Sequence, residues 1–175
     1  MALGPYSRRV PRILRRELPS EGIYHVTARG VHGQPLFVHD VDRLDFLALF
    51  DLATQRAGWR CHAWCLMTTH YHLVLETSVP ALSTEMHRLN TVYAQRFNRR
   101  HDRRGHLFES RFSSWVIRDE AHLEATCRYV LDNPLRAGLD AAEPWPWAGF
   151  AGYESKRRTS SSPTSEKSSY ERPTA

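Results

Sequence analysis

Seven consecutive segments between Ile23 and Asn133 alternate between strand-like and helix-like patterns, in an order that few folds accommodate. Strands are predicted where β-branched and aromatic residues cluster between turn residues, and helices where apolar residues recur three and four positions apart. The predicted order is strand 23–27, helix 40–57, strand 59–67, strand 71–77, helix 80–98, strand 112–118 and helix 119–133. This order predicts an α+β plait, with a mostly antiparallel sheet and helices on one face.

The first predicted helix has clear ends and an apolar stripe. Asp40 can cap its N-terminus, and Gly58 is the kind of residue that ends a helix. Within the helix, Leu44, Leu47 and Phe50 are spaced three apart and are predicted to form its apolar stripe.

Composition divides the chain of 175 residues into three parts. Residues 1–19 form an arginine-rich arm, and residues 20–153 contain all the predicted elements, which suits one domain of ordinary size. From residue 154 to 175 the chain turns to Ser, Lys, Arg, Thr and Pro, and this tail is predicted to be disordered because it can bury little apolar surface.

The charge and the cysteine count restrict the partners and the compartment. The net charge is +5 and the pI is about 9.4, which favours a polyanionic partner, although many basic proteins bind no nucleic acid. In the arm, Arg12, Arg15 and Arg16 either contact phosphates or belong to a solvated leader. An odd count of three cysteines, with no secretory or membrane-spanning segment, predicts a cytoplasmic protein.

The sharpest local feature is the sequence His70-Tyr71-His72 at the start of the third predicted strand. Residues two apart in a strand point the same way, so both imidazoles are predicted to leave one face while Tyr71 leaves the other. Two histidines placed in this way can share a metal ion. An isolated H-x-H is nevertheless more often a pair of unrelated polar residues on a solvated sheet face.

A second feature lies on the third helix, where Tyr129 and Asn133 are four residues apart and share a face. Pro134 is predicted to end this helix at Asn133. A tyrosine that attacks a phosphodiester forms a covalent intermediate that keeps the bond energy for a later joining step. An isolated helical tyrosine is, however, more often structural.

Structural zinc is a rival interpretation of the same region. Zinc-competent side chains are concentrated within about a dozen residues. They are Cys61, His62, Cys65, His70 and His72. Cys61 and Cys65 share a predicted strand face that His62 does not, and the spacing matches no common zinc module.

Four segments, taken in order, resemble a known family. YHVTARGVHGQPLF, CLMTTHYHLVLE, LNTVYAQRFNRRHDRRGHLFESRF and CRYVLDNPLRAGL look like the REP-associated tyrosine transposases, within the one-tyrosine HUH transposases (U is a hydrophobic residue). The resemblance covers about residues 22–153. Tyr71 fills the U position, and MTTH stands where the family more often has proline and asparagine before the first histidine.

The resemblance implies a fold, an activity and a set of roles. The fold would be a ferredoxin-like plait with the two histidines on a central strand. His70 and His72 would bind a divalent metal, Mg²⁺ or Mn²⁺, and Asn133 would be a third ligand or would orient the phosphate. Tyr129 would be the nucleophile that cuts single-stranded DNA and leaves a 5′-phosphotyrosine.

The implied ligand is single-stranded DNA with hairpins from repetitive extragenic palindromes, bound by a monomer or a homodimer. Phosphate contacts are then predicted for arginines that could otherwise belong to a solvated basic loop, and base stacking for two aromatic residues. They are Arg99, Arg100, Arg103, Arg104, Arg111, Phe108 and Trp115. The other function class left open is a non-catalytic module that binds single-stranded DNA or RNA on the same fold.

Overall fold

The structure is a computed structural model, and it describes residues 21–139 and 145–150. The strands are β1 (Glu21–Arg29), β2 (Arg60–Leu66), β3 (His70–Ser78), β4 (Ser113–Ile117) and β5 (Ala148–Phe150), and the helices are α1 (Asp40–Ala57), α2 (Val79–Arg100), α3 (Glu120–Leu131) and α4 (Asn133–Arg136). The predicted arm with Arg12, Arg15 and Arg16, and the predicted tail, lie outside the described residues. Within them, no helix is both long and apolar enough to cross a membrane.

The strands form one sheet in the order β4-β1-β3-β2-β5, and every neighbouring pair is antiparallel. Without β5, this is the order of a ferredoxin-like plait, in which β1-α1-β2 and β3-α2-β4 are two interleaved units. The predicted fold is confirmed. The edge strand β5 was not predicted, because three residues carry too little pattern to distinguish a strand from a loop. The two histidines of the H-x-H sequence lie on β3, at the centre of the sheet.

Helices α1 and α2 pack on one face of the sheet, as predicted, around a core that includes Tyr24, Phe46 and Tyr71. The shorter helix α3 lies across the other face, where Val130 packs against Val74 of β3. Both faces of the central strands are therefore covered. This arrangement brings α3 onto the sheet face that carries the two histidines.

The apolar stripe predicted for α1 was wrong at Leu44, whose side chain is 58% exposed. The buried side of the helix instead includes Phe46 and also Arg43. The Arg43 guanidinium lies 5.5 Å from the ring centroids of both Trp145 and Trp147. A guanidinium can replace an apolar residue at such a position because it is weakly hydrated and stacks on aromatic faces. The helix is therefore rotated relative to the prediction from apolar spacing alone.

The helical segment near Pro134 also extends further than predicted. α3 ends at Leu131, and the chain then forms the one-turn helix α4, which contains Pro134 at its start. Proline is tolerated in a first turn because the missing N–H would have no helical partner there. As a result, the chain beyond Asn133 stays close to the end of α3, and Arg136 is held beside it.

Candidate active site

A tight loop fixes the start of β3. The carbonyl of Thr69 accepts a 2.9 Å hydrogen bond from the amide of Gly30, which follows β1. Only glycine fits at this position, because a Cβ on Gly30 would collide with the carbonyl oxygen of Gln34. The two threonines that replace the family's proline and asparagine are thus part of an ordered loop. This loop places His70 as the first residue of β3.

The two histidines of β3 share one face of the sheet, as predicted. The centroids of the His70 and His72 rings are 5.1 Å apart. Tyr71 is fully buried on the opposite face, where its hydroxyl donates a 2.8 Å hydrogen bond to Asn90 of α2. The alternation of the strand therefore separates a histidine pair from a core tyrosine.

Helix α3 brings Tyr129 against this pair. The centroid of the Tyr129 ring is 5.8 Å from that of His72, with the two rings nearly perpendicular. One turn further along, the Nδ2 of Asn133 donates to the carbonyl oxygen of Tyr129 at 2.8 Å. The fold thus brings Tyr129 next to His70 and His72, which are far from it in the sequence. Asn133 lies one helical turn after Tyr129 and is bonded to its backbone.

A third histidine belongs to this cluster and was not predicted. His25 of β1 is 2% exposed, and its Nε2 lies 3.0 Å from the Nδ1 of His72. The two rings meet edge to edge, with centroids 5.2 Å apart and 21° between their planes. The sequence did contain a signal, because Tyr24 and Val26 are apolar and His25 between them must face the other side of β1.

Arg136 is the second residue beside the candidate site that the sequence analysis missed. Its guanidinium carbon lies 5.2 Å from the centroid of the Tyr129 ring. The positions of Tyr129, Asn133 and Arg136, four and three residues apart, match one face of a continuous helical segment. The predicted end of the helix at Asn133 concealed this spacing. A cation therefore lies beside the tyrosine.

Burial keeps the clustered histidines neutral. It lowers the pKa of His25 to about 4, with a smaller contribution from His122. Burial also lowers the pKa of His70, with a further effect from Arg29. The pKa of His72 is well below its usual value because of burial first, and then because of His25 and His70. Neutral imidazole is the form that binds metals, so near neutral pH these side chains need no deprotonation to act as ligands.

His70, His72 and Asn133 each carry an atom of a type that a divalent cation accepts as a ligand. The Nδ1 of His70 lies 3.1 Å from the hydroxyl of Thr69, and the Nδ1 of His72 faces His25. The Nε2 atoms remain for a metal, and metal-binding histidines usually engage their other nitrogen in this way. The amide nitrogen of Asn133 is bonded to backbone carbonyls, so Oδ1 is the atom of this side chain that could coordinate a metal.

The geometry does not favour structural zinc. In residues 21–139 and 145–150, no group of three or more His, Cys, Asp or Glu side chains could hold a metal ion. His62 is instead bonded to Glu76, with Nε2 and Oε2 3.0 Å apart. Burial raises the pKa of Cys65 to about 12, so its thiol stays protonated. The thiolate that zinc requires is therefore disfavoured at this position.

Comparison with known proteins identifies the family. The family described as "Transposase IS200 like" matches residues 20–133. The chain belongs to this transposase family. No curated protein matches the sequence.

Two solved structures are similar to the chain. One is described as "Structure of the REP associates tyrosine transposase bound to a REP hairpin"; it has 14% identity and a TM-score of 0.65, and covers 77% of this chain and 80% of that one. A Deinococcus radiodurans protein described as a "putative transposase" has 21% identity and a TM-score of 0.43, and covers 66% of this chain and 92% of that one. The similarity to the first structure supports the fold described above. The TM-score of the second structure is too low to support any conclusion.

The basic run of this transposase-family chain divides into two groups. Arg100 forms ion pairs with Asp42 and Asp45 of α1, at 2.7 and 3.0 Å. Arg103 donates to Gln34, and its guanidinium lies 5.7 Å from the Phe97 ring centroid. These two arginines therefore connect parts of the fold. Arg99, Arg104 and Arg111 are exposed, as is Arg100 in spite of its ion pairs.

The structure does not bring the two predicted stacking residues together. Trp115 of β4 lies on the histidine face, with its ring centroid 5.6 Å from that of His25. Phe108 packs on the other side of the sheet, 6.4 Å from the Tyr71 ring centroid. Phe108 and Arg111 line a groove of about 970 Å³ between α2 and residues 105–112. The chain thus offers one aromatic residue at the candidate active site and another in a separate groove.

Proposed function

We propose that this transposase cuts and rejoins single-stranded DNA that carries hairpins, with Tyr129 as the nucleophile and with His70 and His72 as metal ligands. The observation that carries the proposal is the position of the Tyr129 ring, 5.8 Å from the His72 ring on the face that carries both histidines. Membership of the IS200-like transposase family supports DNA as the substrate. The similar transposase structure is bound to a REP hairpin, which supports a folded single strand as the ligand.

In the proposed reaction, the hydroxyl oxygen of Tyr129 attacks the scissile phosphorus. The bond from the tyrosine oxygen to phosphorus forms, and the bond from phosphorus to the 3′-oxygen breaks. The phenolic proton leaves for solvent, and the 3′-oxygen takes up a proton to become a free hydroxyl. The 5′-phosphate stays on Tyr129, and attack by a 3′-hydroxyl reverses the step and joins the strands.

The neighbouring side chains would hold the phosphate for this attack. His70 and His72 would bind Mg²⁺ or Mn²⁺ through Nε2, and Asn133 would add its Oδ1. Imidazole ligands favour manganese, although magnesium is the more abundant ion in cells. When bound, the metal would polarise the phosphoryl group and neutralise part of its charge. Arg136, beside Tyr129, would supply a further positive charge to the phosphate.

A covalent-adduct assay tests the proposal. Hairpin DNA with single-stranded flanks and a label at its 3′ end is incubated with the full chain and Mn²⁺, because the fragment that carries this end stays on Tyr129, and the products are run on a denaturing gel. We expect a labelled band that migrates with the protein, resists boiling in detergent, and disappears after protease treatment. Tight hairpin binding with no adduct at any Mn²⁺ concentration would contradict the nuclease proposal and support a non-catalytic binding module.

We further propose that Arg99, Arg104 and Arg111 contact DNA phosphates, together with Arg12, Arg15 and Arg16 of the arm. Changing the first three to glutamine should weaken hairpin binding and reduce its dependence on salt. Each lost contact should lower the slope of log K against log salt concentration by about 0.7, the value for single strands. Binding titrations between low and physiological salt measure this slope. Removal of residues 1–19 should also reduce the slope and leave the preference for hairpin over blunt duplex unchanged.

Arg60→Gln is the charge-matched control when Arg99, Arg104 and Arg111 are each changed singly to glutamine. Arg60 is exposed at the start of β2, opposite Glu76 and thus at the far end of β3 from His70. This variant should keep the slope of the parent. An equal loss of slope in Arg60→Gln would assign the effect to net charge and contradict specific contacts.

A further inference from the structure

His25 is buried at the candidate active site, and no step of the proposed reaction uses it. We infer that His25 is a positioning residue, which holds the His72 ring so that its Nε2 is offered to the metal. This inference rests on the proposed function, because it assumes that His72 is a metal ligand.

An edge-to-edge contact with His25 restrains the His72 ring. The hydrogen-bond distance of 3.0 Å between the Nε2 of His25 and the Nδ1 of His72 fixes the rotation of the His72 imidazole about its side chain. The two rings lie edge to edge, with only 21° between their planes, so the hydrogen bond lies close to both ring planes and also restricts the tilt of the His72 ring. The His25 ring is itself held between neighbours, with its centroid 5.6 Å from that of Trp115 and 6.1 Å from that of Tyr129.

The hydrogen bond also couples the proton positions of the two rings. A neutral imidazole has one N–H and one lone pair, and the metal takes a lone pair. When Nε2 of His72 binds the metal, its proton must lie on Nδ1, and Nδ1–H then donates to the Nε2 of His25. His25 must therefore carry its own proton on Nδ1. In the opposite arrangement, His25 donates to His72 and the Nε2 of His72 carries a proton that blocks the metal.

The contact between His70 and Thr69 does not restrict the position of the His70 proton in this way. The Nδ1 of His70 lies 3.1 Å from the hydroxyl of Thr69, and a hydroxyl can rotate to donate or to accept. His70 can therefore change its tautomer without affecting another ring. The tautomers of His72 and His25 are coupled, and this coupling makes His25 part of the proposed metal site without being a ligand.

The test compares two substitutions of His25 in the full chain. His25→Phe keeps an aromatic ring at this position but removes the acceptor, and it should weaken Mn²⁺ binding about 10- to 100-fold, the usual effect of losing such a partner. His25→Gln supplies an amide oxygen as acceptor and should recover most of the affinity. Isothermal titration with Mn²⁺ alone measures binding without DNA or cleavage. Saturating Mn²⁺ should restore the cleavage rate of His25→Phe, because the defect lies in metal binding.

Val26→Ala is the control for a purely structural effect. Val26 is fully buried on the same strand but faces α1 and α2, so this variant should lower the melting temperature and leave Mn²⁺ affinity unchanged. If the parent binds Mn²⁺ and His25→Phe binds it equally well, the inference about His25 is wrong and the proposed function stands. If the parent binds no Mn²⁺, the metal site and the inference both fail.

A measurement on the unaltered protein remains decisive if His25→Phe does not fold. Nitrogen-15 NMR distinguishes the two tautomers of each imidazole, and Mg²⁺ is diamagnetic. With Mg²⁺ bound, we expect the proton of His25 on Nδ1 and a bare Nε2. A proton on the Nε2 of His25 in that complex would overturn the inference.

Discussion

Tyr129→Phe should form no covalent adduct with hairpin DNA and should cleave it at least about a thousandfold more slowly than the parent, as expected when a nucleophile is removed. The substitution removes one hydroxyl and keeps the ring, so the contacts of that ring with His72 and Arg136 are preserved. Hairpin binding should therefore remain close to that of the parent. A denaturing gel measures the adduct and the cut strand, and a binding titration measures the affinity.

Tyr71→Phe is the matched control, because Tyr71 lies between the two histidines but on the other face of β3. It loses the hydrogen bond to Asn90, which should cost about 1 kcal/mol of stability, while adduct formation continues. If Tyr129→Phe still cuts DNA at the parental rate, the nucleophile is another group, such as water, and the tyrosine assignment is wrong. If both variants lose the adduct, the defect reports a disturbed sheet rather than a missing nucleophile.

Much of the fold could be predicted because the pattern of each element is local. Alternation along β3 is enough to place His70 and His72 on one face, and apolar spacing is enough to locate α2. The side of the sheet that α3 covers depends instead on packing between distant segments. The sequence did carry a hint in the unbroken apolar run Leu73-Val74-Leu75, since a strand covered on both faces lacks polar alternation.

The residues that were missed depend on contacts that no local pattern encodes. His25 has a partner 47 positions away, and Arg43 is accommodated in the core by tryptophans near the other end of the described chain. The arginines of residues 99–104 show the opposite case, in which residues that look alike in the sequence have different contacts in the structure. Both Arg100 and Arg104 are exposed, yet Arg100 also forms an ion pair with the buried Asp42. The composition predicted a basic surface, but only the tertiary structure distinguishes the arginines that connect parts of the fold from the others.

His70→Ala and His72→Ala should each reduce cleavage about a thousandfold at a fixed, subsaturating Mn²⁺ concentration, and a chelator should do the same to the parent. The reason is the loss of several kcal/mol of charge stabilisation in the transition state, at about 1.4 kcal/mol for each factor of ten. His70 is the better first target, because it is only partly buried and its removal leaves the pair between His25 and His72 intact. Cleavage rates across Mn²⁺ concentrations, with melting curves for each variant, separate lost metal binding from lost folding.

His62→Ala is the control that decides between the two metal interpretations. His62 lies on β2 next to β3, and its imidazole is bonded to Glu76 rather than directed into the histidine cluster. A catalytic metal at His70 and His72 predicts that this variant cuts DNA normally and that the chelator-treated parent stays folded and recovers with Mn²⁺. A structural zinc shared with Cys61 and Cys65 predicts that His62→Ala loses cleavage and that the chelator-treated parent unfolds, because removal of such an ion unfolds the domain that it stabilises. Full cleavage by the chelator-treated parent would contradict both interpretations, and Tyr129 would then have to act without a metal, with Arg136 beside it as a source of positive charge for the phosphate.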